Sequence, residues 1–301
     1  MQDLMPLAIV GNVNVDLILG PLADWPEHGT EVLVPELVWR VGGSAGHVAV
    51  ACAELGTGAL TVSTVGTDLA GEWLRQQFAP STVDWIPVPQ DTSITTAFHH
   101  PSTERSFITC LGHLATLSWD DLHPRVPHAR VTLLAGAFLT PALRAQYPAV
   151  LSELTSRGSQ VALDFGWPAW GFTPDVRAEV HHWLPEVSFL LINEIEALGL
   201  TNLPDLIAAV HQLADQIRPD GVVAVKLGAA GVLASQHGRV FRQPAPEVRV
   251  IDSVGAGDTW NAAFLHATLD GAHLDQALAY AVHIASNAIS TMPRRFSPDP
   301  E

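Results

Sequence analysis

From about residue 117 onward, short, wholly apolar runs alternate with stretches whose apolar residues recur every three or four positions, and this alternation constrains the fold most. Runs at 131–135, 161–165, 188–192 and 222–227 read as buried strands, and 141–156, 175–184 and 204–217 as helices. Strands apolar on both faces, alternating with amphipathic helices, predict an α/β fold: a mostly parallel sheet covered on both sides. Ligands in such sheets gather beyond the carboxyl ends of the strands. Gly11, Gly42, Gly66, Asn193 and Gly228 each close an apolar run and are expected around one crevice, together with the turn at Gly255.

The first third of the chain departs from this rhythm. A strand at 7–10, another at 60–65 and an amphipathic helix at 68–78 fit the sheet, but 13–19, 31–40, 92–98 and 104–110 are extended-type runs with no helices of their own. They predict a small separate sheet, read as a lid, and the change of texture that brings in its later strands begins at Val83. Around the first of these runs Asn12, Asn14 and Asp16 alternate with Val13, Val15 and Leu17, which places the polar side chains on one face. That face is either a wall for recognising hydroxyls or an ordinary half-exposed strand. A glycine turn at Gly42 and Gly43 then enters a helix containing His47 and ending at Gly56. The spacing of Gly42, Gly43 and Gly46 is not G-x-G-x-x-G, and the acidic residue expected at the end of a following strand is not evident, which disfavours a dinucleotide fingerprint.

A second glycine turn lies at 251–269, I-D-S-V-G-A-G-D-T-W-N-A-A-F-L-H-A-T-L. The β-branched run of Val248, Val250 and Ile251 predicts a strand leading into Gly255, Ala256 and Gly257, followed by a helix ending near Gly271. Glycines allow close approach to a ligand, and the first N–H groups of a helix lack internal partners, so the turn is a ready anion cradle. Asp258 at its lip has two readings: a helix cap, or a general base beside a transferring phosphoryl group.

Composition narrows the classes. With 301 residues, 48% of them hydrophobic, the chain can bury a full core. Fifteen Lys and Arg against 31 Asp and Glu give a net charge of −16, which disfavours nucleic-acid and membrane-surface roles but leaves room for a small anion in a locally positive pocket. Lys226 is the only lysine and stands outside any G-x-x-x-x-G-K-[ST] pattern, closing the P-loop route. Two cysteines, Cys52 and Cys110, are too few for a disulfide framework and point to a reducing, cytoplasmic setting. No signal peptide is read at 1–6, and the longest apolar run, 131–142, is too short to span a bilayer.

Five motifs in order, the polar residues of the first strand at 12–16, the G-G helix at 42–56, N-E-x-E at 193–196, V-K-L-G-x-x-G at 225–231 and D-S-V-G-A-G-D at 252–258, resemble the ribokinase-like (PfkB) family of carbohydrate and nucleoside kinases. The resemblance implies one kinase domain over 1–301, a three-layer αβα core with a β-sheet lid, and ATP with Mg²⁺ used to phosphorylate a hydroxyl, usually a hydroxymethyl, of a small sugar. It implies Asp258 as base, with the N–H groups of Gly255, Ala256 and Gly257 as anion hole. Asp16 would bind two sugar hydroxyls, with Asn12, Asn14, Gly42, Gly43 and His47 around it. Asn193, Lys226, Gly228, Gly231 and Asn261 fall on the nucleotide side, Glu196 near the metal through water, and Asp252 near the metal too.

The departures are as informative. His47 stands where many members have Asn, and no carboxylate occurs from 131 to 146, which removes the acidic contact of ribokinases proper. T-M-P-R-R replaces a glycine that forms part of a monovalent-cation loop, so no potassium site is carried over. A nucleoside kinase, with Phe98, Phe107 or Trp39 stacking on a base, is the alternative within the family. A phosphorylated acceptor would need Arg40 or Arg105, and a sugar-binding pseudokinase without turnover is the reading from another class. The exposed edges and apolar face of an open lid sheet imply a homodimer through the lid.

Overall fold

A computed structural model describes residues 4–100 and 105–297. The first part contains β1 (Met5–Gly11), β2 (Asn14–Gly20), β3 (Glu36–Gly42), α1 (Ser44–Glu54), β4 (Ala59–Gly66), α2 (Leu69–Gln76), β5 (Val83–Val88), β6 (Ile94–His99) and β7 (Arg105–Cys110). The middle contains α3 (Trp119–Leu122), β8 (Ala129–Ala135), α4 (Pro141–Ala145), α5 (Tyr147–Ser156), β9 (Gln160–Asp164), α6 (Pro174–Trp183), β10 (Val187–Asn193), α7 (Glu194–Thr201) and α8 (Leu206–Ala214). The last part contains β11 (Val222–Lys226), β12 (Val232–Gln236), β13 (Arg239–Gln243), α9 (Ala256–Leu269) and α10 (Leu274–Ser290).

Nine strands form one sheet in the order β13-β12-β11-β10-β9-β8-β1-β4-β5. Every pairing is parallel from β11 to β5, and β12 and β13 add an antiparallel hairpin at one edge. The central strands alternate between two buried clusters, as a sheet covered on both faces requires. Ala8 and Val10 of β1 face Leu143, Tyr147, Leu151 and Trp183, while Leu7 and Ile9 face Val48, Cys52, Phe264 and Leu278.

A separate four-stranded sheet has the order β3-β2-β6-β7. Its inner pair, β2 and β6, runs parallel, and both edge strands pair antiparallel. Arg40, Asp16, Thr95 and Thr109 stand side by side in one row across the sheet, and Trp39, Leu17, Thr96 and Ile108 in the next. Adjacent rows point to opposite faces, so the row of Asp16 is turned toward the strand ends of the core and the row of Leu17 away from them.

Four local expectations are corrected. Residues 248–251 form no strand: the N–H groups of Ile251 and Asp252 both bond to Ile289 O (2.8 and 3.1 Å), tying the segment to the end of α10 and leaving Val250 and Ile251 exposed. The extended run proposed from residue 31 pairs only from Glu36. The helix expected over 141–156 is broken at Gln146, just ahead of Pro148. Val83–Val88, grouped by texture with the lid strands, is an edge of the main sheet.

Candidate active site

α9 begins without a side-chain cap. Its N-cap is Gly255 in the left-handed conformation (φ 68), and Asp258 lies within the first turn. Capping is therefore not the role of this carboxylate, whose Oδ2 stands 3.0 Å from His47 Nδ1. The N–H groups of Gly255, Gly257 and Asp258 have no acceptor among the described residues, whereas that of Ala256 is spent on Ser253 O (3.2 Å). The free donors of the turn thus differ from the expected trio at Ala256, whose N–H closes a tight turn onto Ser253 O just ahead of α9.

Asp258 and Gly255 line a cavity of about 460 Å³ together with Asn12, Asn14, Asp16, Gly43 and His47. Thr95, Thr109 and the exposed ring of Phe107 reach it from the lid, and Leu139 and the exposed Trp167 from the core. Among the described residues neither lysine nor arginine lines it. Asp16 accepts from Asn14 Nδ2 (2.8 Å). Burial pushes the Asp16 carboxyl above its ordinary range, opposed by His47, Asn14 and Arg40. Asn14 Oδ1 is buried with no hydrogen-bond partner among the described residues.

Gly42 and Gly43 owe their identity to these polar side chains. A Cβ at Gly42 would overlap Asp16 Oδ1 and approach Asn14 Nδ2 to 2.7 Å; one at Gly43 (φ 83) would overlap the Asn12 carbonyl. Asn12 itself serves α1, its Oδ1 accepting from Ser44 N–H (3.2 Å) and its carbonyl from Gly46 N–H (3.3 Å). That leaves Asp16 and Asn14 as the acceptors turned to the cavity.

His47, in the first turn of α1, is the group that joins the halves. Its Nδ1 meets Asp258 and its Nε2 lies 4.0 Å from Asp16 Oδ2. Burial lowers its pKa, but the two carboxylates outweigh burial and leave it above the ordinary histidine value.

Beyond the turn, the nucleotide-side residues divide. Gly228 (φ 56) faces open space, as a backbone approached by phosphates would. Gly231 is instead packed on the Gln243 carbonyl and closes the β11–β12 turn. Asn261 is fully buried, donating to Asp164 Oδ2 (2.6 Å), so it does not open on a nucleotide cleft. Lys226 spends its three donors on Asp164 Oδ2 (2.9 Å), Asn261 Oδ1 (3.0 Å) and Leu191 O (3.2 Å). Its charge balances Asp164, a residue absent from the motifs, although a lone carboxylate ending an apolar strand was the available signal. Asn193 and Glu196 form a reciprocal capping box at the start of α7. Burial, then Asp164, push Glu196 up to about 7.

Asp252, expected near the metal, is held by Arg40 of β3 and by Arg294 (2.8 Å). Burial would raise its pKa, but the Val254 N–H and the two guanidinium groups bring it down to about 2. Among the described residues no group of three His, Cys, Asp or Glu is placed to hold a metal.

A sheet-based α/β core with a small sheet over the strand ends, and a carboxylate at the start of a buried helix facing a polar cavity, defines a sugar-kinase class of protein. The family described as pfkB family carbohydrate kinase matches residues 6–299, and the chain belongs to it. It is accordingly a carbohydrate kinase. It is 26% identical over 232 residues to a fructokinase of Klebsiella pneumoniae, covering 74% of this chain and 75% of that one. The ribokinase of Arabidopsis thaliana complexed with ribose and ATP superposes with a TM-score of 0.79 at 24% identity, over 96% of this chain and 93% of that one. An adenosine kinase from Sinorhizobium meliloti gives 0.81 at 22% identity, over 98% and 97%.

Proposed function

We propose that this kinase transfers the terminal phosphoryl group of ATP to a hydroxyl, in the first place a hydroxymethyl, of an uncharged sugar or sugar derivative, with Asp258 as general base. The observation that carries the reading is the shared cavity: Asp258, Asp16 and the Gly255 turn all open onto it. Asp16 and Asn14 Oδ1 accept from hydroxyls of the acceptor and orient it. Asp258 takes the proton of the reacting hydroxyl as its oxygen bonds to phosphorus, and the unspent N–H groups of Gly255 and Gly257 hold the charge on the moving group. Among the described residues the cavity is lined by two carboxylates and by no lysine or arginine, which argues against a carboxylated or phosphorylated acceptor; the side chain of Arg105 lies outside the described residues.

ATP with Mg²⁺ supplies the activated phosphoryl group and neutralises its charge. The donor set fits this: Mg²⁺ keeps much of its water and asks for one or two carboxylates, and Glu196 has only Oε2 engaged, by Asn193 N–H (2.9 Å). Asp252, paired with two arginines, fits that role less well. Two free cysteines agree with work in a reducing cytoplasm, and no described helix is long and apolar enough to cross a membrane. The exposed apolar residues of the lid support a homodimer joined there.

Purified protein is incubated with ATP and, separately, D-ribose, D-fructose, other neutral sugars and adenosine, and ADP release is followed. One acceptor is expected to drive release, and Asp258→Asn to slow turnover by about 100-fold or more with the fold intact. Unchanged turnover in that variant removes Asp258 from the mechanism; tight binding without release makes the protein a sugar binder. Phe107 and Trp167, both exposed and both lining the cavity, favour a second reading, a nucleoside acceptor stacked on one of these rings. Adenosine preferred over every free sugar would establish it.

A further inference from the structure

Two carboxylates that open onto one small cavity oppose each other's charge, which favours the protonated form. Burial and, less strongly, Asp258 both work to protonate Asp16. A protonated Asp16 turns one of its acceptor oxygens into a donor, which weakens its grip on the hydroxyls of a sugar. The residue placed to prevent this is His47.

The imidazole lies between the two acids, with one ring nitrogen turned to each: Nδ1 is 3.0 Å from Asp258 Oδ2, and Nε2 is 4.0 Å from Asp16 Oδ2. The ring also rests on the turn that starts α9, for a Cβ built at Gly255 would come within 2.9 Å of His47 Cγ. Rotation of the ring away from either acid is thereby restricted. On its far side a second cavity, of about 630 Å³, exposes it to Arg40, Asp252 and Arg294. Of these, Arg294 works against a charge on the ring, and Asp252 is already neutralised by both guanidinium groups. Asp16 of β2 and Asp258 of α9 therefore decide the state of the ring.

We propose that His47 acts as a cationic bridge, a positioning residue whose imidazolium holds Asp16 ionised beside Asp258 so that the acceptor's hydroxyls and the base are presented together. This rests on the kinase reading above for its use, though not for its existence. A loose phosphoryl-transfer transition state gains little from a stronger base and much from fixed geometry and a nearby positive charge. Loss of the proton from His47 is therefore expected to weaken acceptor binding and turnover together, and activity to fall on the alkaline side.

The test uses the full chain labelled with ¹³C at the aspartate side-chain carboxyls, the Asp16 signal being assigned with Asp16→Asn. In His47→Asn the Asp16 midpoint is expected to rise by about one pH unit or more, the scale of losing an adjacent opposite charge. His47→Gln, which keeps a donor but no charge, is expected to do the same, and guards against one variant failing to fold. The His47 imidazole is expected to titrate above 6.5 in the wild type and to drop in Asp258→Asn. An Asp16 midpoint unmoved in a natively melting His47 variant overturns the bridge. With D-ribose, D-fructose and adenosine as probe acceptors, the alkaline limb of kcat/KM is expected in the wild type and absent from His47→Asn; a limb that persists, or activity that rises as the wild-type ring loses its proton, also overturns it. Should none of these probes be phosphorylated while the carboxyl titration behaves as stated, the proposed acceptor class fails and the bridge stands.

Discussion

At the scale of the residue, the glycines of the first motif show how a backbone requirement can be set by polar side chains. Gly42 and Gly43 leave the space in which Asp16 and Asn14 lie against the chain. Gly42→Ala is expected to push the Asp16 carboxylate off its Asn14 contact and raise the KM for the acceptor by about 10-fold, the cost of roughly one hydrogen bond to a charged group. The KM for ATP should stay as it was. Parallel KM measurements for both substrates check this, and an equal rise in both would contradict the assignment. The same scale explains what the sequence could show of the site. Asp16, His47 and Asp258 were legible because each sits in a spaced motif. The engagement of Ala256 N–H, and the withdrawal of Asn12 into capping α1, were not, since both depend on where a distant backbone arrives.

At the scale of the element, two buried polar contacts hold the site's supports. Lys226 at the end of β11, Asp164 at the end of β9 and Asn261 on α9 fix the helix that carries Asp258 to the sheet beneath it. Lys226→Met strands Asp164 as a buried, unpaired charge, and is expected to cost about 3 kcal/mol in stability, read as a lowered denaturation midpoint in urea.

The other contact lies at the root of the lid, where buried His113 Nδ1 accepts from the N–H of Ser93, one residue ahead of β6 (2.9 Å). Burial pushes His113 down to about 4, against the weaker opposing pull of the Val13 carbonyl and Asp68. Its folded pKa lies below the unfolded value near 6.5, so the unfolded chain binds the proton first. The stability contribution is complete above pH 6.5 and is lost as pH falls through 4, by about 3 kcal/mol in all. Urea titrations across this range should show a shallower acid decline in His113→Asn, which keeps an acceptor and does not titrate.

Element type was readable wherever period and burial agreed, as in β8 to β11. It failed at 248–251, where β-branched residues suggested a strand but the backbone donors are taken by the end of α10. Strand propensity reports fit to a pleated, half-buried surface, and no such surface is offered there. The β12–β13 hairpin was missed because it breaks the alternation that made its neighbours visible.

At the scale of the whole molecule, the lid's outward row carries Trp39 and Ile108, with Leu37 two places further along β3, all well exposed, on a sheet whose two edges are unpaired among the described residues. Ile108→Glu is expected to shift a lid-joined dimer to monomers, with light scattering reporting a halved mass at the same concentration. A mass that stays at two chains in the variant would place the contact elsewhere.

The two halves of the cavity are borne by different sheets. Thr95, Phe107 and Thr109 come from the small one, while Asp258 starts a helix wedged between α1 and α10 on the large one. If the proposed site is the acceptor site, a lineage can rewrite which alcohol it accepts by altering β6 and β7, leaving the proposed base undisturbed. Divergence in diet, for an enzyme built this way, needs no reinvention of its chemistry.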